Sequence, residues 1–262
     1  MGYTPFDFNE ADRHRRDHVE DRLREGSPVV GISFDSGLLL LTVRRSQRKV
    51  FEIYDRLIYA GIGSQADIEA VRVGSIDVAH REGYERSPDD VTAQRLVGFA
   101  LSPSLKRLFG DQFNAPPVIR ALFGELGPRP EDDAFYVLNY DGEFEQHTGF
   151  AVLAGVPEAE DRMALWLVGV GPETTREQAL DRALKAWAVG AMESRRRRMS
   201  AGDEEIDPLL DIEEGEQMAG FLREELKTGV VEAGILDRHT TRESRFRLLA
   251  GADLEPLLRE YR

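Results

Sequence analysis

The chain has 262 residues, 41% of them hydrophobic, with 48 acidic against 34 basic side chains and a net charge of −14. That supplies one sizeable core, whereas the acidic balance disfavours nucleic acid and anionic lipid, which reward basic surfaces. There are no cysteines and the five histidines are scattered, so disulfides and thiolate metal sites are excluded and neither a metal nor another cofactor is expected.

The N-terminal residues are aromatic and acidic rather than basic then apolar, and no apolar run nears the roughly 20 residues of a membrane span. The expectation is a soluble, cytoplasmic protein without a membrane or nucleic-acid partner. Only Lys49, Lys106, Lys185 and Lys227 are lysines, which leaves few candidates for any role that needs an ammonium.

Residues 1–8 form a tail with Tyr3, Pro5, Phe6 and Phe8, and Asn9 is placed to cap a charged helix that ends near Gly26. Its thin apolar face, chiefly Ala11, Val19 and Leu23, predicts a helix that stays solvated or finds a partner surface. Two apolar runs follow at 28–34 and 38–43, split by Asp35-Ser36-Gly37, which reads as a hairpin. After Lys49 come two more strand-like runs ending in Gly61-Ile62-Gly63.

A helix is expected from Ser64 toward Gly83, with Ile68, Val71 and Ile76 on its buried side. A second should open at Pro88 and bury Leu96, Val97, Phe99 and Leu105. Residues 117–125 and 134–140 read as strands. Asp141-Gly142 turns into a run over 143–154, in which Gly149 marks a bulge or a break. Helices at 158–168 and 174–192 follow, then a charge-block loop at 194–215, a helix at 216–227, strands at 229–236 and 246–249, and a closing helix at 252–261. Strands and helices in segregated runs predict an α+β layered fold rather than a parallel sheet.

Several chemical constellations are weak. Gly61-Ile62-Gly63 is too short for a phosphate cradle and reads as a strand end. His14 and His18 have helical i, i+4 spacing but lack a third ligand and sit among Arg13, Arg15 and Arg16. Asp132-Asp133, beside Pro128 and Pro130, reads as turn and solubility chemistry.

The stretch GSPVVGISFDSGLLLLTV, its continuation KVFEIYDRLIYAGIG, the pairs Gly83-Tyr84 and Asp90-Val91-Thr92, and GVVEAGILDR near the C-terminus together resemble proteasome subunits, closest to the bacterial alpha type. The resemblance spans about residues 27–194 and 229–258. It implies a four-layer αββα sandwich of the N-terminal nucleophile hydrolase kind with an N-terminal helix. The domain would cover 27–262, preceded by a gate tail and helix at 1–26 and interrupted by a charged insertion at 194–215.

In that family's catalytic subunits an N-terminal threonine uses its own α-amine as base. Here Ser27 falls at the nucleophile's place behind 26 residues, and Val43 stands where the family has an acidic residue. The resemblance therefore implies a non-catalytic alpha-type subunit with no catalytic residue. Such a subunit forms the outer ring of the particle, seven-membered in the family, stacks on beta-type subunits, and gates the passage of unfolded protein substrates. Lys49 would receive the C-terminal carboxylate of a ring ATPase, with Arg44, Arg45 and Arg48 adding positive potential. Tyr3, Pro5, Phe6 and Phe8 would close the axial pore. A hydrolase self-processed before Ser27, and a ring-forming homologue without beta partners, are the alternatives.

Overall fold

The structure is a computed structural model that describes residues 5–199, 216–242 and 244–261, with side chains from residue 10 onward. Its centre is a pair of five-stranded antiparallel sheets. The first is ordered β10-β9-β2-β1-β8, from strands β1 (Val29–Phe34), β2 (Gly37–Arg44), β8 (Phe150–Leu153), β9 (Val230–Asp237) and β10 (Phe246–Leu248). The second runs β3-β4-β5-β6-β7, from β3 (Val50–Tyr54), β4 (Leu57–Gly63), β5 (Ile119–Glu125), β6 (Ala134–Leu138) and β7 (Phe144–His147).

Three apolar layers follow from this pairing. Leu38, Leu40, Ile58, Leu122 and Phe135 fill the space between the sheets. Helix α2 (Gln65–Glu85), α3 (Ala93–Arg95), the π-helical turn Leu96–Leu101 and α4 (Ser102–Gly110) cover the outer face of the second sheet through Ile68, Leu96 and Leu105. Helices α5 (Pro157–Trp166), α6 (Arg176–Met199), α7 (Glu216–Glu225) and α8 (Gly251–Leu258) cover the first sheet through Met163, Leu184, Trp187 and Leu222. The central strands of both sheets, β1, β2, β4 and β6, are apolar on two faces because each sheet is covered on two faces, so they read as runs rather than as alternation. The result is the expected four-layer αββα sandwich.

The expected Asp35-Ser36-Gly37 hairpin forms, with Phe34 opposite Gly37 and Val29 opposite Thr42. The run over 143–154 is two strands in different sheets: β7 pairs with β6 in the second and β8 with β1 in the first. Gly149, at φ +76°, makes the break between them.

The helix at the N-terminus differs from its expectation in two ways. This helix, α1, spans Pro5–Leu23, so it starts four residues before Asn9; proline has no N–H to lose at a first helical position and its φ is preset for it. It is also docked on its own domain. Val19 and Leu23 are fully buried in the core between the sheets. Arg15 donates to the carbonyl oxygens of Phe109 at 3.0 Å and Asn114 at 2.9 Å, beyond the end of α4. The guanidinium groups of Arg15 and Arg16 lie 5.6 and 5.3 Å from the centre of the Phe109 ring. Two apolar residues and two arginines replace the broad apolar stripe that the helix lacks.

Four further expectations change. Pro88 opens only a short 3₁₀ turn, Pro88–Asp90, before the chain re-enters helix at Ala93. Phe99 is 80% exposed, because the π turn brings Leu101 rather than the next α-helical position under Leu96. Asp133 is buried: it accepts from Ser33 Oγ, from the Gly127 N–H at 2.8 Å and from Arg238 Nη2 at 2.8 Å, joining the two sheets at one end. The run 195–198 is the last turn of α6, not loop, and 200–215 lies outside the described residues.

Candidate functional site

Lys49 stands where the chain leaves the first sheet for the second, between the end of β2 and the start of β3. Its place is fixed from β9. The buried carboxylate of Glu232 accepts the backbone N–H of Lys49 at 3.1 Å and that of Val50 at 3.2 Å, and lies 3.3 Å from Arg44 Nε and 3.7 Å from Arg48 Nε. An acidic residue on an otherwise apolar strand thereby satisfies two N–H groups that the corner leaves without ladder partners.

The side chain of Lys49 reaches back to the head of β1. Its Nζ donates to the carbonyl oxygen of Ser27 at 3.4 Å. Ser27 Oγ donates to the Val43 carbonyl at 2.6 Å and accepts the Trp187 indole N–H at 3.0 Å. Ser27 is thus a latch between β2, α6 and Lys49, and its own nitrogen is the amide of the Gly26–Ser27 bond. Burial pulls the Lys49 ammonium down to about 8, with the charge of Glu232 opposing the shift.

These residues floor a cleft of about 470 Å³. Its walls come from the end of α1 and its exit, from the β2–β3 corner, and from the facing ends of α6 and α7. Among the described residues, seven basic side chains line it, Arg22, Arg24, Arg44, Arg45, Lys49, Arg195 and Arg198, against two carboxylates, Glu25 and Glu225. Glu225 is already engaged by Arg45 at 2.9 Å and Arg195 at 3.8 Å. Among the described residues, Arg22 and Arg198 pair with no carboxylate. In a chain of net charge −14, such a concentration of cations over a partly desolvated ammonium is suited to a carboxylate or phosphate ligand.

Of the residues singled out in the sequence, Lys49, Arg44 and Arg45 meet in this cleft. Arg48 is turned away, its guanidinium 5.4 Å from the Phe51 ring centre. Tyr3 lies outside the described residues, and Pro5, Phe6 and Phe8 belong to the backbone of the first turns of α1. His14 and His18 are exposed, and among the described residues no cluster of metal-ligating side chains occurs and no helix is long and apolar enough to cross a membrane. Sequence reasoning missed Glu232, Trp187 as the partner of Ser27, and Arg195 and Arg198 as cleft residues; the four-arginine run at the end of an amphipathic helix was the available signal for the last two.

Two antiparallel sheets between paired helical layers, with a residue at the head of β1 beside a lysine at the start of β3, define the αββα sandwich of the proteasome-subunit class. No protein-family model matches the chain. It is similar to the proteasome subunit alpha of Xylanimonas cellulosilytica, 28% identical over 246 residues that cover 92% of this chain and 89% of that protein. The corresponding protein of Kineococcus radiotolerans is 26% identical over 94% of this chain and 93% of its own length. That of Jonesia denitrificans is 32% identical over 56% of this chain and 62% of its own. The chain is similar along most of its length to bacterial proteasome alpha subunits.

Proposed function

We propose that this chain is a non-catalytic alpha-type subunit that forms the outer, seven-membered ring of a proteasome particle in the cytoplasm, stacks on beta-type subunits, gates the passage of unfolded protein substrates and docks a ring ATPase. Lys49 receives the C-terminal carboxylate of the ATPase, and the arginines around it draw that tail in. The N-terminal residues, with Tyr3, Pro5, Phe6 and Phe8, close the axial opening. The observation that carries the docking role is the excess of seven cations over two carboxylates around Lys49. A compact ammonium on a flexible stem can follow a terminal carboxylate, and surrounding guanidiniums raise the encounter rate.

The anchoring of α1 by Arg15, Arg16, Val19 and Leu23 supports the gating role, because it fixes the helix from which the first residues extend. A self-processed hydrolase is less well supported. The Ser27 hydroxyl is occupied by Val43 and Trp187, and Val43 supplies no carboxylate to a base.

The test is binding of a short peptide with a free C-terminal carboxylate to the particle assembled with its beta-type partner, read by fluorescence anisotropy. The wild-type particle should bind it and should bind the C-terminally amidated peptide at least about tenfold more weakly, the scale expected when a charge pair at a partly desolvated site is broken. Equal binding of the two peptides would remove the docking role.

A further inference from the structure

The four lysines of this chain sit in different surroundings. Lys185 pairs with Asp181 at 3.0 Å and Lys227 pairs with Glu224, while Lys106 is exposed on α4. Lys49 Nζ has the Ser27 carbonyl oxygen as its contact, and among the described residues no carboxylate lies within ion-pair distance of it. Glu232, the acidic group closest in the fold, is committed to two backbone N–H groups and to Arg44 and Arg48.

Burial without a paired carboxylate has a chemical consequence. With its pKa drawn down to about 8, Lys49 holds a much larger share of uncharged amine near neutral pH than an ordinary lysine does. An uncharged amine is a nucleophile, and lysines desolvated in this way are the ones that react with electrophilic carbonyls. Around it, Arg22, Arg24, Arg45, Arg195 and Arg198 line the same cleft. Guanidinium groups bind phosphate in a fixed, bidentate geometry. A nucleophilic amine on the floor of a guanidinium-lined cleft fits one class of reagent, a carbonyl activated by phosphate.

We propose that Lys49 is the chain's preferred site of acylation by small acyl phosphates. The arginines hold the phosphate while Nζ attacks the acyl carbon. A C–N bond forms and the C–O bond to phosphate breaks, inorganic phosphate leaves with the electron pair, and the proton released by the nitrogen passes to solvent. The product is a neutral amide. The cleft loses its one ammonium and its net positive charge falls by one. That this switches off ATPase docking rests on the function proposed above; the acylation itself does not.

The experiment treats the full chain with acetyl phosphate at about pH 7.5 and follows each of the four lysines by peptide mass spectrometry. Lys49 should be acetylated roughly tenfold faster than Lys106, Lys185 or Lys227, the advantage in free amine being partly offset by lower basicity. Added inorganic phosphate should slow Lys49 alone, and should have no effect when the donor is the uncharged N-hydroxysuccinimide ester of acetate. The double variant Arg22→Gln, Arg198→Gln, which removes two cleft guanidiniums that hold no carboxylate among the described residues, should slow Lys49 severalfold and leave the other three unchanged. Equal rates at all four lysines, or a Lys49 rate indifferent to phosphate and to the double variant, would overturn the proposal. Because the readout is covalent mass at one residue, its failure would leave the docking role standing, and loss of docking would leave this result intact.

Discussion

Glu232 and Lys49 are 183 residues apart in the chain, yet the Glu232 carboxylate accepts the Lys49 backbone N–H at 3.1 Å and so sets where the lysine stands. The same carboxylate faces Arg44 and Arg48, which makes it the junction of the β2–β3 corner with β9. Replacing it leaves two N–H groups unsatisfied in a buried place and takes the carboxylate partner from Arg44. Glu232→Ala should lower stability by about 2–4 kcal/mol and Glu232→Gln by less, because the amide oxygen still accepts one N–H. Urea denaturation of the two variants measures the difference; equal, negligible losses would contradict this account of the corner.

The position of the Lys49 pKa predicts a pH dependence with a definite sign. In the folded chain the ammonium is present below about 8 and lost above it. The groups that face it are Glu232 and the cleft arginines. Affinity for a free carboxylate should therefore fall as pH rises through about 8, and Lys49→Arg, which keeps its charge, should abolish the dependence. Stability moves the other way. A lysine whose folded pKa lies below its unfolded value costs stability wherever both states are protonated, and the cost shrinks between about 8 and 10.5. Relative to Lys49→Met, the wild-type chain should gain stability across that window.

Arg15 should be the polar anchor of α1. It donates to three carbonyl oxygens, those of Phe109, Asn114 and Leu108, at 3.0, 2.9 and 3.4 Å. Arg15→Ala should cost about 1.5–3 kcal/mol, the range for hydrogen bonds to a charged group, and should expose α1 to limited proteolysis before the rest of the domain. Cleavage of the variant at the wild-type rate would show that Val19 and Leu23 hold the helix alone.

Gly155, on the link between β8 and α5, packs against the end of α1. A Cβ there would stand 2.0 Å from the Leu23 carbonyl oxygen and 2.6 Å from its carbon, and both are backbone atoms that no rotamer change can move. Gly155→Ala should push the end of α1 outward, destabilise the fold by about 1–3 kcal/mol, and speed hydrogen exchange in the last turn of α1, which forms a wall of the cleft. Unchanged exchange would mean that the link, not the helix, yields.

The sheets were the legible part of this chain. The central strands are apolar runs buried on both faces, and the turns between strands carry their own chemistry, as at Asp35-Ser36-Gly37 and Asp141-Gly142. Long-range polar pairs were not legible. Asp133 looks like turn chemistry until Arg238, 105 residues away, is seen across from it, and Glu232 looks like an interruption of a strand until the Lys49 corner is laid beside it. Helix α1 reads as solvated because its attachment relies on arginines, which a hydrophobic pattern does not count. Phe99 was misplaced by a π turn, which has no compositional mark. Lys49 stood out as one of four lysines, whereas Arg195 and Arg198 were hidden in a charge block that the last turn of α6 turns toward the cleft.

The central claim is that the intact chain builds a ring with a beta-type partner, and native mass spectrometry of the chain, alone and co-expressed with that partner, tests it most directly. The account predicts full-length subunits, with the residues before Ser27 retained, in a ring of about seven or in a mixed four-ring particle; ring closure fixes the number through the interface angle. A chain that begins at Ser27, or one that stays monomeric in the presence of the partner, would contradict it.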